Sequence, residues 1–138
     1  TPLMAMYGAT ASATGFITVP MATNQAVLAF VPRADVCDAR FLYFWLRWHA
    51  PRLKASATGA AQPNLSKQVV LREVGFPGAS LDHQRAVALI LDSALEDAAA
   101  LSAEVNSLGH LRASMLTGLL SGVFVPTTTY DTCLHEVA

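Results

Sequence analysis

The sequence predicts an α+β chain: a small mixed α/β unit followed by one long coiled-coil-forming α-helix. Three observations carry that expectation. Short β-branched, apolar pieces punctuated by Gly and Pro open the chain. An aromatic segment with helical spacing follows Asp38. From Val87 to Leu108 apolar residues recur at spacings that alternate between four and three, the seam of a helix packed along another helix.

The opening pieces are "FITV" and "AVLAFV", separated by "PMATNQ", which has turn composition. "LMAMYG" is a further strand candidate, with Gly8 and Gly15 as punctuation. Asp38 is an N-cap candidate for "ARFLYFWLRWHA", in which Phe41, Leu42, Trp45, Leu46 and His49 share a face and form a packed core. Arg40 and Arg47 fall on the other face, where they are expected to be solvated or turned to phosphate. Pro51 is expected to end this helix, because it lacks the N–H and clashes with the preceding turn. The loop "GAAQPNLSK" comes next, and then "QVVLREVGFP", which reads as a strand closed by Pro77 and Gly78.

Residues 1 to about 78 thus form the α/β unit. Ser80 is the N-cap expected for the long helix, with Asp82 suited to its positive first turn. The seam comprises Val87, Leu91, Ala94, Ala98, Leu101, Val105 and Leu108, and it continues one residue out of register at Leu111 and Met115. Gly109 sits at the slip and costs about 1 kcal/mol relative to Ala, which implies compensation from outside the helix. Ala94 and Ala98 suit a close helix approach. Gly122 is the natural stop, so residues 79–122 form the helix and 123–138 a polar tail. A helix from Leu81 to Ser121 is about 60 Å long at about 1.5 Å per residue, and nothing else in the chain is long enough to cover its seam.

Bulk composition narrows the function. The chain has 138 residues, 53% hydrophobic and 14% charged, which suits one globular domain and argues against disorder. No apolar run reaches the roughly 18 to 20 residues that span a bilayer, and no signal-peptide pattern opens the chain. Cys37 and Cys133 are far apart and belong to no metal or redox motif, so they read as reduced thiols. The formal net charge of −1 conceals a division. Arg33, Arg40, Arg47, Arg52, Lys54, Lys67 and Arg72 face only Asp35 and Asp38 in one block, whereas from Glu73 onward acids dominate. A basic head for an anionic partner and an acidic helix for other contacts follow from that asymmetry.

Catalytic signatures are absent. Neither Gly8 nor Gly15 belongs to a phosphate-binding loop, and there is no GxSxG or HExxH. His49, His83, His110 and His135 have no carboxylate at ligand spacing, and "QPNL" is not the Asn-Pro-Pro-aromatic element that holds a flipped base. The chain is expected not to be an enzyme, to hold no metal and to carry no cofactor.

In order, "MYGATASATGFITVPMATNQAVLAFVP", "GAAQPNLSKQVV", a Pro-Gly turn and "HQRAVALILDSALEDAAAL…LRASMLTGLLSG" resemble the specificity subunits of type I restriction–modification systems, over residues 3 to about 126. The pieces most typical of the family are "TNQAV", the Gly…Gln-x-Asn-Leu-Ser loop, Gln84-Arg85 and the final "LLSG". The resemblance implies that residues 1–78 are part of a DNA target-recognition domain and that 79–122 are the conserved helix. It implies double-stranded DNA, methyltransferase subunits and a second specificity helix (from a homodimer or another half-subunit) as partners, in a cytoplasmic complex. S-adenosylmethionine, ATP and magnesium would belong to partner subunits. A full subunit has two recognition domains and two helices, so this chain is expected to be a C-terminal fragment or the product of a truncated gene.

Under that resemblance the loop acquires a role. Gln62 and Asn64 carry amides of the kind that pair with adenine, while Ser66 and Lys67 suit phosphate, as do Arg52 and Lys54 before them. Gly59 permits close approach and Pro63 fixes loop shape. The other reading of Gln62 and Asn64, that they satisfy turn backbone groups, stays open at this stage. Two rival functions also stay open: a coiled-coil adaptor that does not bind DNA, and a degenerate remnant.

Overall fold

The computed structural model describes residues 1–57 and 64–124. Three short strands, β1 (Pro2–Ala5), β2 (Thr14–Phe16) and β3 (Val27–Ala29), form an antiparallel sheet in the order β2-β1-β3. The register sets Leu3 opposite both Gly15 and Ala29. The first half of "LMAMYG" therefore lies in the central strand, paired on both edges by segments that follow it in sequence. A 3₁₀ turn at Gly8–Thr10 links β1 to β2, with Gly8 at φ +74° and Ser12 at φ +73°. The buried Ser12 is held in this left-handed conformation by its N–H bond to Ala5 O at 2.9 Å.

Alternation along β1 buries Met4, with Met6 beyond it, on one face of the sheet. Helix α1 (Ala39–Ala55) lies against that face with Leu46 and Leu53, and Leu65 and Val70 complete the core. Each such side chain removed from water is worth about 1.5–3 kcal/mol. Asp38 caps α1 as expected, its Oδ1 accepting from the N–H groups of Arg40 and Phe41 at 2.9 Å each.

Pro51 does not end α1, which runs on one further turn. The break costs about 3 kcal/mol, and burial of Leu53 two residues later offsets it. Ser56 closes the helix through its N–H to Arg52 O and Leu53 O.

The segment read as a strand, "QVVLREV", is instead helix α2 (Lys67–Glu73). Ser66 stands in extended conformation before it, and its hydroxyl accepts from Val69 N–H at 3.2 Å. Val70 is buried and Val69 and Val74 pack against the same core, so a one-sided apolar face overrides the β-preference of a Val-Val pair.

Helix α3 spans Leu81–Leu120, close to the expected limits. Ser80 accepts from His83 N–H through its hydroxyl at 3.4 Å and from Gln84 N–H through its carbonyl at 2.9 Å. At the far end Gly122 takes φ +74°, and Phe124 N–H bonds to Gly118 O at 2.9 Å. The Phe124 ring fills the space that a Cβ on Gly118 would need, which accounts for a glycine in the last turn. The chain divides into two compact units, Thr1–Ser93 and Ala94–Ala138.

Candidate nucleic-acid interface

Arg52 and Lys54 occupy the last turn of α1. Asn64, Ser66 and Lys67 lie at the entrance to α2, which packs against α1. The entrance is firmly held. Asn64 forms an isolated antiparallel bridge with Tyr7, and Leu65 donates its N–H to Met6 O at 2.8 Å. Leu65 is buried while Asn64 and Lys67 are exposed, so the core anchors one residue and presents those on either side. Ser66 spends its hydroxyl oxygen on the α2 cap, a structural role that accounts for its presence without DNA. Gly59, Gln62 and Pro63 lie outside the described residues.

The cations of the basic block are not equivalent. Arg52 pairs with Glu73 at 3.0 Å and Arg72 reaches the same carboxylate at 3.4 Å, tying α1 to α2. Arg33 lies 3.8 Å from Asp35. Such exposed pairs are worth about 0–1 kcal/mol, and they lower the local positive potential. Arg47 bonds to the Tyr43 hydroxyl at 3.2 Å. Among the described residues no acid lies within ion-pair distance of Lys54, Lys67 or Arg47.

Arg40 departs from expectation. Its side chain is part-buried and paired: its Nε donates to both oxygens of Asp92 at 2.7 and 2.9 Å, and a terminal nitrogen also reaches that carboxylate. Its guanidinium lies 4.7, 5.0 and 5.3 Å from the ring centroids of Phe16, Tyr43 and Phe44. The partner is fifty-two positions away, beyond the reach of any local pattern. Trp45, expected in the core, is part-buried and donates Nε1–H to Gly75 O at 2.8 Å. Sequence reasoning missed the pairing roles of Glu73 and Asp92, and it marked Gln84 only as a family-typical residue and not as a buried hydrogen-bonding one. The signal available was the four-residue spacing of Gln84, Ala88 and Asp92, which puts a small residue between two polar ones on one helix face.

The expected helix-interface residues fall into two groups. Val87 is half-buried and Leu91 is 38% exposed, both within the first compact unit. Ala94, Ala98, Leu101, Val105, Leu108, Leu111 and Met115 lie in the second unit, all exposed, with Leu101 at 63% and Val105 at 68%.

Burial pushes the Cys37 thiol pKa up, and the neighbouring Asp38 charge adds to the effect, so this cysteine is the reverse of an activated nucleophile. Among the described residues no three His, Cys, Asp or Glu side chains come together as a metal site, and no helix is long and apolar enough to cross a membrane.

Comparison with known proteins supplies the remaining finding. The model of one family, the type I restriction modification DNA specificity domain, matches residues 2–107. No solved structure matches the chain.

Proposed function

The chain belongs to the type I restriction modification DNA specificity domain family, and on that premise we propose that it is a non-catalytic DNA-recognition and assembly component of such a system. The observation that carries the proposal is the extent of the match. It runs from β1 through the sheet, α1 and α2 and into α3 as far as Ser107, taking in the basic head and much of the long helix together.

In this reading Lys54 and Lys67 bind DNA phosphates, with Arg52 contributing once Glu73 is partly displaced from it. Asn64, whose backbone is already held by the bridge to Tyr7, is left to use its side-chain amide on a base edge. Gly59, Gln62 and Ser66 complete the loop: Gly59 allows close approach, Gln62 supplies a second amide, and Ser66 offers its hydroxyl proton to a phosphate while its oxygen caps α2.

The exposed stripe on α3 supports the second half of the proposal. Leu101, Val105, Leu108, Leu111 and Met115 are large apolar side chains facing solvent at heptad-like spacing, an arrangement that costs solubility unless something covers it. We propose that the cover is a second specificity helix, antiparallel and from another copy of this chain or from a second half-subunit. Val87, Leu91, Ala94 and Ala98 extend the same interface, and methyltransferase subunits dock on the assembled pair.

The same stripe favours the rival reading, an adaptor that pairs through its helix and does not bind DNA. A mobility-shift titration of random duplex DNA at low salt separates the two. Retardation by the purified chain supports DNA recognition, whereas a chain that self-associates and leaves the duplex unshifted supports the adaptor.

A further inference from the structure

We infer that Gln84 and the Arg40–Asp92 pair are positioning residues, a two-point lock that fixes the direction of the first three turns of α3 against the α/β layer that would meet DNA. The inference goes beyond the proposed function and does not depend on DNA binding. It rests on contacts that lie wholly within the unit Thr1–Ser93.

The first point is Gln84, which is fully buried at 0% exposure. Its Oε1 accepts from Asp38 N–H at 2.9 Å, and its Nε2 donates to Val36 O at 3.0 Å and to Ala79 O at 2.7 Å. One amide thus holds the loop before α1, the linker before α3 and α3 itself. Asp38 passes the restraint on, because the residue gripped by Gln84 through its N–H is the one whose carboxylate caps α1. A buried amide with both ends of its dipole engaged accepts no other arrangement without leaving polar groups unpaired.

The second point is Arg40 against Asp92, eight residues further along α3, or about 12 Å at about 1.5 Å per residue. The fork of Arg40 meets both carboxylate oxygens, and three aromatic rings surround its guanidinium. This geometry restricts the pair in direction as well as in distance. One attachment would let α3 pivot; two attachments about 12 Å apart fix its axis.

The intervening linker is poorly suited to that task by itself. Trp45 pins Gly75 and the Phe76 ring meets Phe41 edge-on at 6.0 Å. Gly75 and Gly78, however, bring no side chain of their own to pack, and among the described residues nothing lies within 4 Å of where a Cβ on either would stand. The polar choice on α3 also matters. Apolar side chains at 84 and 92 would bury area but tolerate sliding, whereas an amide and a fork specify one arrangement.

The test uses the full chain with Cys37 and Cys133 replaced by Ala, spin labels at Trp48→Cys on α1 and Leu89→Cys on α3, and excess unlabelled chain to suppress distances between copies. Both labelled positions are exposed. With the lock intact the distance distribution is narrow. Asp92→Asn and Gln84→Leu are each expected to broaden it at least twofold while helical circular dichroism is kept, and Arg40→Lys, which keeps the charge but loses the fork, gives an intermediate width. If Gln84→Leu fails to fold, Asp92→Asn decides alone. A lowered melting temperature with unchanged width would show that these residues only stabilise the chain, and would overturn the positioning role.

Discussion

Asn64 pairs with Tyr7 in a single antiparallel bridge, so the residue expected to read a base is held through its backbone. The next residue, Leu65, is buried in the core. Substitutions at these adjacent positions should therefore separate. Leu65→Ala is expected to cost about 2–5 kcal/mol in urea unfolding. Asn64→Ala should stay within about 0.5 kcal/mol of the parent, yet lose discrimination between duplexes in competition binding. Comparable destabilisation by both would assign the Asn64 amide to the fold.

Pro51 gives a second prediction. It sits inside α1, exposed, where it removes the donor for the Arg47 carbonyl. Pro51→Ala should restore that hydrogen bond and raise stability by about 1–3 kcal/mol, less whatever the proline contributes by restricting the unfolded chain. A lower denaturation midpoint would mean that the local distortion of α1 is needed for Leu53 to reach the core.

How far the sequence revealed this architecture depends on the range of the interaction involved. Asp38, Ser80 and Gly122 mark helix limits because capping acts within three or four residues, and all three are where the pattern put them. Two strand pieces were legible, since "LMAMYG" and "AVLAFV" overlap β1 and β3, but "FITV" meets β2 only at Phe16; the order was not legible, because the central position of β1 depends on pairing with later segments. The Val-Val pair in "QVVLREV" suggests a strand, but the Ser66 cap and the one-sided packing of Val69, Val70 and Val74 make the segment a helix. At the candidate site the basic block was visible in composition, but which cations keep their charge was not. Glu73 and Asp92 reach Arg52 and Arg40 only through the tertiary fold.

The seam on α3 yields a third prediction. Leu101→Asp should abolish self-association at tens of micromolar in sedimentation while leaving monomer helicity unchanged. Gly109→Ala probes the same pairing from the opposite direction. Nothing described lies within 4 Å of a Cβ there, so the substitution should stabilise the unpaired helix by about 1 kcal/mol. If a partner helix approaches closely at Gly109, the same change weakens the dimer. Leu101→Asp without effect would remove helix pairing from the account.

The central claim is that the head meets DNA through cations that no carboxylate among the described residues pairs with, Lys54 and Lys67 foremost. The most direct measurement is the salt dependence of duplex binding by the parent chain and by a Lys54→Ala/Lys67→Ala variant. Each phosphate contact contributes about 0.9 to the slope of log affinity against log salt, so losing two should flatten it by about two while weakening all sequences alike. An unchanged slope and affinity in the double variant would contradict the account.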